Sequence, residues 1–563
     1  MKRLLSLVFV VIFTGILTAS GQQQFPANYP RQLRQRGEVY FQFTFHEKNR
    51  LQSLGRFISI DKIKGDTAYA FANATGFSRF LASGQSYRIL VPPSQRLTRN
   101  RLAPPSLKSS FAWDFYPSYE QYVSLMQGFE TKYPSLCRVV SIGKSVKGRE
   151  LLFAHIGHLQ ERPDTLPQFM YTSTMHGDET TGYVLMLRLI DYLLSRYGKD
   201  TAVTHLVDSL DIWINPLANP DGTYAGGNSS VYGATRFNAN HVDLNRNYPD
   251  PAVGNHPDGN AWQPETKAFM HFAETHRFVL SCNLHTGSEV ANYPWDTWPV
   301  PTADNAWWQK VCRQYADTVH AHAPAGYFTD LNNGITDGYD WYRITGGRQD
   351  YMNYFRHDRE FTLELSAVKM PAPQKLPDYW QYNYRSLLNY MHQALQGIRG
   401  KISDSLNGQP LHAEVFILHH DTLHSNVYSD SASGNYYRPV FPGRYDIRFS
   451  APGYHAKTIS QVPVSGLKPV VLNIKLKPDS LNGTEQHAVS FIKVYPNPAS
   501  GRLFSPVFSL PGRLRVITLS GKTVLYQKTG NRSSLDISHL SPGFYLLKIV
   551  SGGKIWTGKF EKK

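Results

Sequence analysis

Cysteine is nearly absent from this chain: Cys137, Cys282 and Cys312 are the only three in 563 residues. An odd count leaves at least one thiol unpaired, so no disulfide framework is implied. A chain of this length can bury enough apolar surface without one. Long apolar runs are also scarce. The one candidate runs from Leu4 to Leu17 behind Lys2 and Arg3 and ends at Ala19-Ser20-Gly21. It is short of the ~20 residues a membrane span needs, and its charge, apolar stretch and small residues fit a secretory signal peptide over 1–21. The expectation is an exported chain with no transmembrane segment after the signal. Acidic residues are in deficit, 43 Asp and Glu against 59 Lys and Arg for a formal charge of +16. That excess sits at the ends: 14 basic against 4 acidic residues over 22–111, 12 against 2 over 486–563, and a middle of −6 over 112–485. A basic balance raises binding to nucleic acid or anionic surfaces, but no basic recognition motif accompanies it, so no nucleic-acid partner is expected.

What is present is globular and multidomain, with 41% hydrophobic and 13% aromatic residues. Residues 22–91 mix short strand-like runs (39–43, 88–91) with helical stretches (47–54, 72–83), a small α+β domain. A proline- and arginine-rich tether, 92–111, follows and should be exposed and easily nicked. Over 112–396 helical and strand patterns alternate, which implies an α/β domain with a sheet covered by helices. From 397 to 477 short strands with polar turns predict a β sandwich. A polar linker, 478–487, leads to a last β module, 488–563, so the fold class is α/β followed by two small all-β domains.

Four segments carry chemistry. His176 and Glu179 form an HxxE pair that can meet one metal from a single helical turn, after the predicted strand 169–173 and at the start of a helix. His285 follows the apolar strand 278–284 and completes three protein ligands, leaving a fourth position for water: the pattern of a zinc peptidase. A ligating imidazole needs its other nitrogen held, and Asp243 is the available carboxylate. In Phe361-Thr362-Leu363-Glu364-Leu365, strand alternation sets Glu364 opposite three apolar residues. Such a carboxylate is a buried paired charge or a general base, and a zinc-bound water nearby favours the base.

With these pieces the chain resembles the zinc metallocarboxypeptidases of the funnelin group, and within them the regulatory subfamily that carries a transthyretin-like sandwich, over roughly 112–477. The resemblance implies a mixed sheet flanked by helices, one Zn(2+) on His176, Glu179 and His285, and Glu364 as general base and acid. It further implies Arg236 as the oxyanion stabiliser, Asn245 and Arg246 as the grip on the substrate's terminal carboxylate, and Tyr342 as the side chain that closes over it. Asp296 and Gln349 match positions that receive a basic side chain, so peptides and proteins with C-terminal Lys or Arg are the implied substrates. The last module, through Tyr495-Pro496-Asn497-Pro498, Gly543-Phe544-Tyr545 and its basic end, resembles a type IX secretion sorting domain, which implies that machinery as partner and a surface or secreted destination. The amino-terminal domain has a faint likeness to carboxypeptidase prosegments. Two other functions compete: a zinc amidase acting on cell-wall peptides, and a surface binding protein whose peptidase domain is silent. The full carboxylate-gripping set weighs against the first, the intact ligands and base against the second.

Overall fold

The structure is a computed structural model that describes residues 29–98, 102, 112–159, 165–466, 468–479, 489–530, 533–551 and 554–563. The expected signal peptide, most of the tether and most of the 478–487 linker lie outside these residues.

The amino-terminal domain is a four-stranded antiparallel sheet in the order β2-β3-β1-β4, with β1 Val39–Thr44, β2 Ser59–Lys64, β3 Thr67–Ala72 and β4 Tyr87–Ile89. Helices Lys48–Leu54 and Ala74–Ala82 supply Leu51, Leu54, Phe77 and Phe80 to its core. The expected helix at 72 starts at Ala74 instead, because Ala72 closes β3 and the Asn73 side chain caps the helix by accepting from Gly76 N. Strands β2 and β3 escaped the pattern reading. In β2 the pairing with β3 shifts register between Ile60 and Lys62, so Asp61 is the extra residue of a bulge and period-2 alternation is lost there.

The catalytic sheet has eight strands in the order β11-β10-β12-β9-β7-β8-β6-β5, where β5 is Cys137–Lys144, β6 Glu150–Ile156, β7 Gln168–Ser173, β8 Asp211–Asn215, β9 Phe278–His285, β10 Glu289–Tyr293, β11 Ile335–Asp337 and β12 Arg359–Leu365. It is mixed: β12, β9, β7 and β8 are parallel, whereas β6 and β5 at one side and β10 at the other join antiparallel. Central β9 is buried along its whole length, which explains why apolar residues fall on both of its faces, with Ser281 and Asn283 the polar interruptions before His285. One face packs under helices Thr181–Arg196, Asn305–His320 and Leu376–Gln393 through Leu189, Trp308, Tyr390 and Phe361; the other packs Phe153, Trp213 and Met170 against Phe269 and Phe272 of helix Pro264–Thr275. Cys137, Cys282 and Cys312 are buried free thiols.

Residues 398–476 form two packed sheets around Ile402, Val415, Ile447 and Phe449. The expected strand 470–476 is split into Val470–Val471 and Ile474–Leu476, where Leu472 crosses Gly400 so closely that a Cβ on Gly400 would lie 2.0 Å from the Leu472 carbonyl oxygen. This sandwich is tied to the catalytic domain by buried charges: Arg438 Nη1 meets Asp304 at 2.9 and 3.0 Å, Arg359 Nε at 2.9 Å and His420 Nε2 at 3.0 Å. The carboxy-terminal unit, taken by itself, is a five-stranded sheet with a separate two-stranded ladder, around Leu514, Val516, Leu547 and Phe560. Among the described residues no helix is long and apolar enough to cross a membrane.

Candidate active site

Strands β7, β9 and β12 run parallel side by side, so their carboxyl ends bring three loops together. His176 and Glu179 follow β7, His285 ends β9, and Glu364 stands opposite His285 in the β9/β12 register. The HxxE pair lies on a turn rather than in a helix: Glu179 N donates to His176 O at 3.1 Å, and the helix begins only at Thr181. The turn is forced against its neighbour, because a Cβ on Gly177 would stand 2.3 Å from the Gly222 carbonyl carbon.

His176, Glu179 and His285 converge. His176 Nδ1 lies 2.9 Å from Glu179 Oε1, His285 Nδ1 lies 2.8 Å from Glu179 Oε2, and the two Nδ1 atoms face each other at 3.1 Å. Burial holds His285 down to about 4, so its ring is neutral near pH 7. Two imidazoles and a carboxylate whose ligand atoms converge in this way fit zinc, and the convergence is otherwise hard to satisfy. Behind them, His176 Nε2 meets Asp243 Oδ1 at 3.1 Å, the support expected from sequence, and Asn283 meets His285 Nε2 at 2.7 Å. Against the cost of burial, His176, Lys369 and His285 hold the Glu179 carboxyl well below the usual range.

Glu364 has one carboxylate oxygen, Oε2, shielded from solvent with no hydrogen-bond partner among the described residues. Burial, then the charge of Glu179, raises its affinity for a proton well above that of an ordinary glutamate. Arg236 donates from Nε to Asp243 at 3.1 Å and from Nη1 to Glu179 at 3.3 Å. Asn245 and Arg246 follow Asp243 on a short turn, with Asn245 Oδ1 accepting from Arg348 N at 2.9 Å. Asp296 is buried and lines the same cavity as the three ligands, Arg246 and Tyr342. Glycines make room for it, since a Cβ on Gly338 would lie 1.9 Å from Asp296 Oδ1. Asn292 donates to that oxygen at 3.2 Å, while its own Oδ1 is buried without a partner among the described residues. Burial pushes the Asp296 carboxyl up to about 7. Gln349 stands outside the cavity lining, its Oε1 accepting from Thr362 N at 2.8 Å. Gln349 Nε2 is buried without a hydrogen-bond partner among the described residues, and Asn292 is the amide that touches Asp296.

Sequence reasoning also missed Lys369 and the amino-terminal domain's part. Lys369 is buried, with Nζ 2.8 Å from Glu179 Oε1 and 3.4 Å from Asp178 Oδ1. Edge strand β2 lies across the cavity. Ser59 Oγ donates to Asp243, Ile60 O accepts from Tyr342 Oη at 3.3 Å, and Asp61 Oδ1 pairs with Lys369 Nζ at 2.7 Å. Tyr342 and Ile344 are built into the amino-terminal domain's core. What remains of the cavity is about 20 Å³, room for roughly one water.

The sequence profile of the zinc carboxypeptidase family matches residues 122–386. Mouse carboxypeptidase M is 36% identical over 394 residues, 66% of this chain and 88% of that protein. This chain belongs to the zinc carboxypeptidase family. It is an enzyme of the metallopeptidase class, with the family's regulatory-like domain matched over 397–477 and a secretion system C-terminal sorting domain over 493–563. The catalytic chain of human carboxypeptidase N is 32% identical over 402 residues, 64% of this chain and 85% of that protein. Rat carboxypeptidase D is 35% identical over 388 residues, 65% of this chain, which spans only 27% of its length. Among solved structures, carboxypeptidase A from Helicoverpa armigera superposes with a TM-score of 0.51 at 20% identity, over 64% of this chain and 97% of that one, a likeness of fold.

Proposed function

We propose that this protein is an exported zinc carboxypeptidase that releases single C-terminal Lys or Arg residues and is latent while the amino-terminal domain is attached. The observation that carries the specificity is Asp296, a buried carboxylate beside the unpartnered Asn292 Oδ1 in a cavity continuous with the metal cluster. A guanidinium or ammonium entering there satisfies both acceptors. An apolar side chain leaves them desolvated and unpaired, a cost of roughly several kcal/mol.

His176, Glu179 and His285 would hold the zinc, which when bound activates water and polarises the scissile carbonyl. Arg246, with Asn245, fixes the terminal carboxylate by bidentate charge-assisted hydrogen bonds. Arg236 donates to the oxygen that gains charge in the tetrahedral state. Glu364, whose raised proton affinity suits the task, takes the proton from water and returns it to the leaving amine. Tyr342 would close over the bound residue once released from Ile60.

Latency is supported by the crossing of β2 over the site and the capture of Tyr342 in the other domain's core. The charge imbalance between the +10 of residues 22–111 and the −6 of residues 112–485 suggests basic-to-acidic attraction, but the ion pairs at the site run the other way, from Asp61 to Lys369 and Arg236. The test is mass spectrometry of peptides ending in Arg, Lys, Phe or Leu, before and after cleavage in the tether. The expected result is one-residue release, Arg and Lys far ahead, faster after cleavage. Preference for aromatic ends contradicts the specificity, and equal specific activity before and after cleavage contradicts the latency.

A further inference from the structure

Asp61 is more than an obstruction. It is the extra residue of the β2 bulge, a device that re-aims a side chain out of the strand's alternation, and its carboxylate meets two cations of the catalytic domain. Lys369 Nζ is 2.7 Å away and Arg236 Nη1 3.9 Å away, and its third polar neighbour, Tyr40 Oη at 3.2 Å, comes from its own domain. The opposite wall is Gly287, where an added Cβ would stand 3.8 Å from both Asp61 Oδ1 and Lys369 Cε.

The position of this carboxylate along the cleft gives it meaning. Asp61 lines the metal cavity and also a second cavity of about 440 Å³ bounded by Lys62, Gly287, Val368 and Lys369. The last residue of a substrate is taken by Asn245, Arg246 and Asp296, so the preceding chain leaves past the metal ligands toward that second cavity. The penultimate side chain then arrives where the Asp61 carboxylate is now.

We propose that the space filled by Asp61 is a subsite for an acidic penultimate residue, and that Lys369 is the residue that selects it. The proposal rests on the carboxypeptidase reading above. In the latent chain the site is occupied by its own preferred group; with the amino-terminal domain gone, Lys369 loses Asp61 as well as the Phe71 ring that lies 4.8 Å from its Nζ, and a substrate Glu or Asp replaces the lost carboxylate.

The test uses the full chain, zinc-loaded and cut in the tether, on N-acyl dipeptides ending in Arg with Glu, Ala or Lys before it. The Glu peptide should exceed Ala in kcat/KM by about tenfold, the scale of a partly desolvated charge pair, with Lys slowest and the spread compressed by high salt. Lys369→Gln, compared with the wild type at matched zinc occupancy because Lys369 also touches ligand Glu179, should flatten the series. Equal kcat/KM for Glu and Ala in the wild type overturns the subsite, and a preference that persists in a zinc-replete Lys369→Gln protein overturns the role of Lys369. Where that variant loses zinc or fails to fold, the wild-type series at low and high salt decides alone. Absence of release from all three peptides overturns the carboxypeptidase reading itself.

Discussion

In the proposed mechanism Glu364 moves protons while His176, Glu179 and His285 hold the metal, so the two roles should separate cleanly under mutation. His176→Ala or Glu179→Ala removes a ligand and is expected to lose bound zinc by metal analysis together with activity. Asp296 makes a pH prediction. Burial holds its carboxyl near 7, so it is charged above that pH and neutral below it, with Asp350, Asp250, Asp337 and Arg246 as the ionisable groups around it. KM for an Arg-ended peptide should therefore rise as pH falls through about 7, while KM for a Phe-ended peptide stays flat. Asp296→Ala should remove both the pH response and the basic preference. An Arg peptide whose KM tracks that of the Phe peptide across this range would contradict the assignment. His176, Glu179 and His285, which the structure brings together, were legible because metal-ligand spacing marks them, and Asp296 only through the family resemblance; Lys369 was not, since a lysine five residues after Glu364 announces nothing until the fold folds it back onto Glu179.

Among the elements, β7 and β9 were readable from their apolar content and β12 from its alternation, and the parallel β9/β12 register is what sets His285 opposite Glu364. Strand β2 was unreadable for a physical reason: the bulge at Asp61 breaks the alternation that marks a strand, and that same bulge aims Asp61 at Lys369. The His176–Glu179 turn was taken for helix because i and i+3 are adjacent in both. The sandwich is a brace whose strength depends on Asp304. Arg438, Arg359 and His420 hold that carboxyl below its ordinary range despite burial. An acid depressed in the folded state contributes its full stabilisation above its unfolded pKa and loses it as pH falls from there through the folded pKa. Asp304→Ala, which leaves Arg359 with carbonyl partners only and Arg438 with Asp421 alone among the carboxylates, should cost about 3–5 kcal/mol, and acid should lower the melting temperature of the wild type more steeply than that of the variant. Parallel melting curves against pH would show that Asp304 carries no such load.

At the scale of the whole molecule, the division into a catalytic domain, a β sandwich and a separate carboxy-terminal unit was legible from the change of pattern along the chain, and the sorting role of that unit from its resemblance to secretion modules. The crossing of β2 over the cleft was not, because it is a contact between domains. Deleting residues 486–563 should leave zinc-binding, cleavable enzyme that accumulates in the periplasm; unchanged surface or medium activity after the deletion would contradict the export role. The central claim is that His176, Glu179 and His285 hold a zinc at which Glu364 drives removal of one C-terminal residue. Its most direct test is product analysis by mass spectrometry on an Arg-ended peptide with tether-cut wild type and Glu364→Gln, each with zinc content measured. The account predicts one zinc per chain in both, loss of a single Arg in the wild type, and a rate ~100- to 10,000-fold lower in the variant. Near-normal turnover in the variant, or cleavage within the peptide, would contradict it.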